Sequence, residues 1–347
     1  MTPPLLYILH SGELFGTERM AVHTLAALAG RHDGIVAAPP GPIHEHARAH
    51  GLHSVVVTSP FALARCLWRI ARAHRSFAVA ATGLSQSLAV IAIRLLSRCR
   101  ITHLHVVHGG TDECLSYGRK RLLDRFDVRF VAVSSFVRER LAAHGVSPAN
   151  VTVIENFIET ERAMPRPAFR APGVRRVIVL SRLDRIKRVG LLIRALQRTP
   201  ALAAMQFDVY GSGDEQDALR AAVASLPNVR LHGFQPDAAR HLRDADLLVH
   251  TCAEEPFGLV VLEAFAAGVP VLVPNAGGSA SLVRDGETGF HFAANDADAL
   301  ARALLELQTA PAAVLNGVAE CARRTLGERF APDIQAARYA NLLEAAA

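Results

Sequence analysis

Glu255-Pro-Phe-Gly-Leu-Val-Val-Leu-Glu263, followed by Ala-Phe-Ala-Ala-Gly-Val-Pro-Val to position 271, is the stretch that says most about the fold of this chain. It predicts an apolar helix that ends at Gly268, before a further strand. Two acids eight positions apart on one helix would lie slightly over two turns apart, near the same face. A carboxylate in such surroundings is costly to bury without partners, and sugar or ribose hydroxyls are suitable partners. A solvated glutamate pair on an amphipathic helix is the alternative.

Short strand-like runs alternate with helical patterns along the whole chain, on both sides of a proline-rich run at 163–173 that predicts a linker. Alternation of this kind predicts parallel sheets with helical crossovers. We therefore expect an α/β protein with two Rossmann-like domains facing a cleft, residues 1–165 and 166–347. The chain ends in helices, the last of which can pack back on the first domain. Ligands of such sheets bind in the loops after the carboxyl ends of the strands.

The positive charge is distributed unevenly. The net charge is +6, and residues 1–165 hold 18 Lys and Arg against 12 Asp and Glu, whereas the remainder holds 20 of each. Four arginines recur at helical spacing around Trp68: Arg65, Arg69, Arg72 and Arg75. This basic face can rest on an anionic membrane surface, or it is a solvated helix face. Nucleic acid is disfavoured as a partner, because aromatic residues do not interleave with the basic ones.

The five cysteines are scattered and form no C-x-x-C pair. This pattern fits a reducing cytosol and argues against a structural zinc site or a disulfide framework. No apolar run reaches the length of a membrane span, and residues 5–9 predict a first strand rather than a signal peptide. We therefore expect a cytoplasmic protein that can associate peripherally with the inner face of the membrane.

Two loops after predicted strands are suited to phosphate. In 10–19, Gly12 and Gly16 permit a tight turn before a helix whose N-terminus can receive a phosphate. In 181–190, Arg182 and Lys187 lie five apart across a strand-to-helix turn, so both are expected to reach one diphosphate. Cations at the start of a helix are disfavoured by its dipole, which points to an anionic ligand.

Three further strand ends carry candidate residues. The turn 210–215 contains Gly213 but lacks the third glycine of a dinucleotide fingerprint. Phe234, in 232–235, can pack against a base or belong to the core. His108 stands at a strand tip before two glycines, and it is either a site residue or a structural histidine.

Together these stretches resemble the retaining GT-B glycosyltransferases of family 4. The two glutamates match the Glu-x7-Glu signature of that family, and 181–190 is similar to its Gly-Arg-Leu-x-x-x-Lys-Gly segment, with Ser181 and Arg188 in place of glycines. The first loop is similar to Gly-Gly-x-Glu-Arg, with Phe15 for the first glycine. The resemblance covers nearly the full chain and is dense from 176 to 290.

The resemblance implies transfer of a sugar from a UDP- or GDP-sugar to a hydroxyl of a saccharide or lipid-linked acceptor, in surface polysaccharide or glycolipid synthesis. No metal or other cofactor is expected. His108 would lie near the reacting sugar and Glu255 would hold the donor sugar. The residues implied in donor binding are Gly16, Arg182, Lys187, Gly213, Phe234, Phe257, Gly258, Leu259 and Glu263.

Other interpretations stay open at this point. A sugar-nucleotide epimerase of similar two-domain build is one, and a catalytically inactive member that serves as a binding subunit is another. Asp244-Ala-Asp246 matches the Asp-x-Asp metal motif of other glycosyltransferases. It precedes a predicted strand, however, and is typical of a turn at the end of a helix.

Overall fold

The structure is a computed structural model that describes residues 2–109, 112–159 and 165–345. The chain divides into two compact units, the first of residues 1–157 with 331–347 and the second of residues 158–330. The sequence-based boundary at residue 165 falls later than this one, because it was placed by the proline-rich run, which begins after the chain has entered the second unit.

The first unit is built on a seven-stranded sheet in the order β3-β2-β1-β4-β5-β6-β7, and each neighbouring pair is parallel. Its strands are β1 (Pro4–Ile8), β2 (Asp33–Ala38), β3 (His53–Val56), β4 (Ser76–Ala81), β5 (Arg100–Val107), β6 (Arg129–Ala132) and β7 (Val151–Val153). The helices between them are α1 (Gly16–Ala27), α2 (Ile43–Ala49), α3 (Pro60–Ala73), α4 (Leu84–Leu96), α5 (Asp112–Lys120) and α6 (Ser135–Ala143).

Alternating residues of β1 enter two different cores, as the period of a strand requires. Leu5 and Tyr7 pack with residues of α1 and α2. Leu6 and Ile8 pack with residues of α3 and α4 on the other face. Both faces of the sheet are therefore covered, which explains why its strands read as nearly continuous apolar runs.

The second unit has a six-stranded sheet in the order β10-β9-β8-β11-β12-β13, again with parallel pairs. Its strands are β8 (Arg176–Leu180), β9 (Gln206–Tyr210), β10 (Val229–Gly233), β11 (Leu247–Val249), β12 (Val271–Pro274) and β13 (Phe290–Phe292). Its helices are α7 (Val189–Arg198), α8 (Gln216–Ala222), α9 (Leu259–Ala267), α10 (Gly277–Leu282), α11 (Ala297–Gln308) and α12 (Ala312–Arg329). The strand order reverses between β8 and β11, which is the position at which open parallel sheets bind their ligands.

The final helix, α13 (Pro332–Ala345), belongs to the first unit. Its buried residues Ala336, Tyr339 and Leu343 lie in the same core as Val22 and Leu25 of α1. None of the described helices combines the length and the apolar character needed to cross a membrane. The expected α/β class with two parallel sheets is thus confirmed.

Candidate functional site

The loops after β8 and β11 are tied to each other at the point where the second sheet reverses its strand order. The Thr251 hydroxyl donates a hydrogen bond of 2.7 Å to the Lys187 carbonyl. The Cys252 thiol donates to the Ile186 carbonyl at 3.2 Å. These bonds fix the single 3-10 turn Arg185–Lys187 against the second loop, and they bring side chains separated by more than sixty positions into one site.

Lys187 and Glu255 form a buried ion pair in this site. Lys187 Nζ donates to Glu255 Oε2 at 2.6 Å, and His250 Nε2 lies 3.3 Å from the same oxygen. The two side chains are only 18% and 12% exposed. Burial opposes the charge on Glu255, but Lys187 and His250 outweigh it and hold the pKa of Glu255 well below its usual value. The pKa of Lys187 is raised by Glu255, although burial acts against it. The pair is therefore ionised at neutral pH.

Glu255 does not lie on the helix that carries Glu263, so the sequence-based placement of both acids on one helix is wrong for Glu255. The helix α9 begins only at Leu259, after Gly258 with φ 99°. This left-handed conformation favours glycine and interrupts the helical path. Glu255 therefore belongs to the loop, where it meets Lys187. Glu263 lies inside α9 and is half-buried.

The start of α9 offers backbone amides, as the sequence suggested for Phe257, Gly258 and Leu259. Gly258 is the residue that precedes the helix and Leu259 is its first residue, so the first amides of the helix point out of its N-terminal end. The Phe257 ring is buried and packs edge-on against Phe330, with ring centroids 6.2 Å apart. Phe257 therefore anchors the loop in the core through its side chain.

Glycines let neighbouring loops support this site at close range. Gly278, after β12, donates its amide to the Glu255 carbonyl at 2.6 Å, and a Cβ there would lie 2.1 Å from the Pro256 carbonyl oxygen. Gly213, after β9, packs in the same manner on the loop after β8. A Cβ on Gly213 would lie 2.7 Å from the Leu183 carbonyl oxygen. The visible contribution of Gly213 is thus to the shape of the Arg182–Lys187 loop.

The backbone conformation of Arg188 explains why a glycine is suited to the end of the loop after β8. It has φ 57°, a left-handed conformation that side chains rarely adopt, and it immediately precedes α7. Its guanidinium donates to Glu254 Oε1 at 2.7 Å and also to Asn295 Oδ1. These two acceptors hold the side chain in place, so the arginine keeps the backbone course that glycine would take.

Arg182 and Phe234 lie at strand ends but outside the buried pair. Arg182 Nη1 is 2.9 Å from Asp184 Oδ2, and its side chain is largely exposed. Phe234 is 70% exposed, which excludes the alternative that it belongs to the core. Beside it along the chain, the His232 ring stacks on Tyr210 with centroids 4.4 Å apart. Sequence reasoning missed Tyr210, because nothing in the chain marks a stacking partner on a neighbouring strand.

The strand ends of the first unit gather a second group of polar residues. His108 follows β5, and its Nε2 lies 3.5 Å from the Tyr7 hydroxyl of β1. Glu18, in the first turn of α1, is 1% exposed. Burial raises the pKa of Glu18, and burial, Tyr339 and Glu18 raise the pKa of Tyr7. These groups are therefore protonated more readily than usual.

Gly16 is the first residue of α1, so it occupies the helix start at which the sequence placed a phosphate. Gly110, one of the two glycines that drew attention to His108, lies outside the described residues. Tyr7 was not singled out from sequence, since only the pairing of β1 with β4 and of β4 with β5 brings it towards His108. Glu18 is the glutamate of the stretch similar to Gly-Gly-x-Glu-Arg, but no role was predicted for it.

The Asp-x-Asp stretch lies at the other end of the second sheet. Asp246 precedes β11, accepts a 2.9 Å bond from Arg166 Nη2 with one oxygen, and accepts the backbone amides of Arg175 and Arg176 with the other, each at 2.9 Å. Both oxygens thus join chain segments at the amino end of the strand, away from the loops described above.

His250, Cys252 and Glu255 have potential metal-ligand atoms within 4.8 Å of one another. Glu255 is already held by Lys187, however, and the Cys252 thiol donates to a carbonyl. Burial, with the Glu255 charge, raises the pKa of Cys252 to about 11. A thiol ligates metal as the thiolate, so this group is better suited to joining the two loops than to binding a cation.

Two family models match the chain. The model described as Glycosyltransferase Family 4 matches residues 16–162, and the model described as Glycosyl transferases group 1 matches residues 174–310. The lipopolysaccharide core biosynthesis glycosyltransferase LpsE of Rhizobium meliloti is 31% identical over 199 residues, 56% of this chain and 57% of that protein. The D-inositol 3-phosphate glycosyltransferase of Nocardia farcinica is 32% identical over 207 residues, 53% of this chain and 46% of the relative. The chain thus spans about half the length of these curated relatives.

The whole chain is similar in fold to a solved protein structure. The Anabaena protein HepE, crystallised with UDP and glucose, superposes with a TM-score of 0.82 and 20% identity, and the match covers 99% of both chains. The two parallel sheets, with their seven and six strands, are accordingly those of the GT-B fold.

Proposed function

Because the chain belongs to the family 4 glycosyltransferases, also described as glycosyl transferases group 1, we propose that it transfers a sugar from a nucleotide-sugar donor to a hydroxyl of an acceptor and retains the anomeric configuration. The observation that carries the proposal is the ionised Lys187–Glu255 pair at the reversal point of the second sheet. A cation and a carboxylate side by side fit the two chemically different halves of such a donor, its diphosphate and its sugar.

Each half has its own partner in this proposal. Lys187 and the exposed Arg182 face the negative charge that grows on the leaving diphosphate, where charge-assisted bonds are strongest in a partly buried site. Glu255 accepts hydrogen bonds from sugar hydroxyls, since its lowered pKa keeps it ionised. The amides at the start of α9 complete the donor contacts, and Glu263 binds the ribose. Phe234 packs against the base.

In the first unit we assign His108 to the reacting sugar and the amides at Gly16 to phosphate. The support is chemical: His108 lies beside Tyr7, which is itself affected by Glu18, and the raised pKa values of Tyr7 and Glu18 suit these groups to holding protons. The helix start at Gly16 suits an anion. A UDP-sugar is the first donor to test, because HepE was crystallised with UDP and glucose.

The reaction as proposed needs no metal ion, because Arg182 and Lys187 supply the positive charge at the diphosphate. Asp246 of the Asp-x-Asp stretch already accepts hydrogen bonds from Arg166 and from two backbone amides. Transfer is expected to persist in EDTA. A strict requirement for Mg²⁺ or Mn²⁺ would contradict this part of the proposal.

We propose that the acceptor is lipid-linked and is reached at an anionic membrane, as part of surface polysaccharide or glycolipid synthesis. Leu63 and Leu67 are buried on one face of α3, while Trp68 and Phe61, the second residue of the helix, are 39% and 87% exposed. The four arginines of this region are exposed as well. Apolar rings among arginines suit the boundary of an anionic bilayer. The relative LpsE is named for lipopolysaccharide core synthesis, which is a membrane-bound setting.

The test is a thermal-shift screen with UDP-glucose, UDP-galactose and GDP-mannose, followed by an assay of donor consumption. A bound donor raises the melting temperature by mass action. We expect one nucleotide class to stabilise the protein and its sugar to be released slowly to water or to an added acceptor. An epimerase would instead convert the nucleotide-sugar without any acceptor, and an inactive binding subunit would bind it without consuming it. Either outcome would replace the proposed function.

A further inference from the structure

Three histidines that the proposed reaction does not use converge on one side of the first unit. His23 lies on α1, His46 lies on α2, and His50 follows the end of α2. The ring centroids of His46 and His50 are 4.5 Å apart, and His23 lies 5.5 Å from His50 and 6.0 Å from His46. One ring nitrogen from each residue lies within 4.8 Å of the other two, and all three rings are half-buried.

The hydrogen bond made by His50 leaves Nε2 as the ring nitrogen that can bind a metal. His50 Nδ1 donates to the His46 carbonyl oxygen at 2.8 Å. A carbonyl only accepts, so the proton of the neutral ring is on Nδ1 and the lone pair is on Nε2. Histidines that ligate metals are oriented in this way, through donation from the other ring nitrogen to a carbonyl or carboxylate.

The backbone that carries the three rings is held firmly by the core. Val22 and Leu25 on α1 and Ala47 on α2 are fully buried in the same cluster. Tetrahedral zinc, with Zn–N bonds of about 2.0–2.1 Å, places its ligand nitrogens about 3.4 Å apart. Separations of up to 4.8 Å therefore close by small side-chain rotations, without movement of either helix.

We propose that His23, His46 and His50 bind one divalent transition-metal ion, Zn²⁺ in the cell, with water in the fourth position. Neutral imidazole suits zinc, copper and nickel, and the site has no thiolate that would select a softer ion. The ion would join α1 to α2. Because α1 begins at Gly16, zinc would fix the helix whose start is assigned to phosphate, without being part of the transfer reaction.

The proposal is tested by zinc titration of the full chain, carrying no polyhistidine tag, against a chromophoric chelator. We expect one equivalent to bind to the wild-type protein. His46→Ala and His50→Ala should each weaken binding about tenfold or more. The matched control is His53→Ala, since His53 is an exposed histidine of the same unit whose ion-pair contact is with Asp33 at 3.8 Å. It should bind like the wild type.

Two further readouts keep the test decisive. Co²⁺ in place of zinc should give the intense visible bands of a four-coordinate site in the wild type and the control only. Zinc should raise the melting temperature of those two proteins and leave that of His50→Ala unchanged. If an alanine variant fails to fold without metal, the variants His23→Gln and His50→Gln are used in its place, because glutamine preserves the bulk of the ring. The proposal would be overturned if the wild type does not bind zinc. It would also be overturned if all variants bind zinc equally, because the ion would then lie elsewhere, such as at Cys252.

Discussion

Ionisable groups are buried at the strand ends of both sheets, but they are charged in the second unit and neutral in the first. In the second unit Lys187 and Glu255 stay charged because they face each other at 2.6 Å. In the first unit Glu18 and Tyr7 are also buried; burial raises the pKa of both, for Glu18 against the opposing effect of backbone amides and His10, and favours the neutral forms. The carboxyl ends of the strands thus carry a charged pair in the second unit and protonated groups in the first. The cationic side chains that face the donor's diphosphate are therefore assigned to the second unit.

Among the variants considered, Lys187→Ala should lower the stability of the protein most, because it removes the charged pair of the second unit. It takes the cation away from the buried Glu255 carboxylate, and removal of one partner from a buried pair costs about 3–5 kcal/mol of the free energy of unfolding. The sequence suggested that Lys187 reaches a diphosphate, whereas its burial gives it a part in stability as well. Urea unfolding measures the loss. The double variant Lys187→Ala/Glu255→Ala should regain part of it, and a loss within about 0.5 kcal/mol, which is usual for an exposed surface residue, would refute the pair.

The pH dependence of stability checks the cause of this effect. Since the pKa of Glu255 is lowered in the folded state, its contribution is fully present above the unfolded value of about 4.3 and is lost as the pH falls towards the folded value. The stability of the wild type should therefore fall below about pH 5 more steeply than that of Glu255→Gln. Parallel curves for the two proteins would show that Glu255 is not held as a carboxylate.

Gly213→Ala should weaken the loop that carries Arg182 and Lys187. The new Cβ would meet the Leu183 carbonyl oxygen at 2.7 Å, and overpacking of this kind costs about 1–3 kcal/mol. Gly317→Ala is the control, because no heavy atom lies within 4 Å of a Cβ there and the position is inside α12. It should be stabilising by up to about 1 kcal/mol. Thermal unfolding of both variants separates a specific clash from a general sensitivity of glycine positions.

Tyr7→Phe tests the neutral site of the first unit and should cost about 1 kcal/mol or less, because a single long hydrogen bond to His108 is lost while the ring stays packed. If His108 and Tyr7 act together on the reacting sugar, the turnover number should fall by more than this small cost in stability explains. Donor affinity should not change. The proposal for His108 loses its support if Tyr7→Phe and His108→Ala both turn over at the wild-type rate.

The alternating apolar patterns predicted the strands and both parallel sheets, because they arise from local periodicity and burial. Arg182, Lys187 and Glu255 were recognised because they lie in dense motifs. The mutual contact of Lys187 and Glu255 was not predicted, since it depends on β8 and β11 being neighbours although two strands separate them in the chain. The three converging histidines likewise depend on the packing of α1 on α2. The helix start at Leu259 was missed because a single left-handed glycine, Gly258, decides it.

The arginines of the first unit should have the smallest effect on folding and a specific one on membranes. Replacing Arg65, Arg69, Arg72 and Arg75 by Gln should change the stability by no more than about 0.5 kcal/mol per site, because all four are exposed. Co-sedimentation with anionic liposomes should rise with the anionic lipid content, fall with salt, and be reduced in this variant, while donor binding is unchanged. A wild-type protein that ignores anionic liposomes at low salt would point to a soluble acceptor.

The central claim is that Lys187 binds the diphosphate of the donor and Glu255 binds its sugar. Calorimetric titration of Glu255→Gln tests this claim most directly. The ligands are UDP and the UDP-sugar that gives the largest thermal shift. The wild type should bind the UDP-sugar more tightly than UDP. In the variant, the affinity for UDP should be unchanged or higher, because Lys187 is released from its partner, while the gain from the sugar should fall by about tenfold. Equal loss of affinity for both ligands, or no loss for either, would contradict the account.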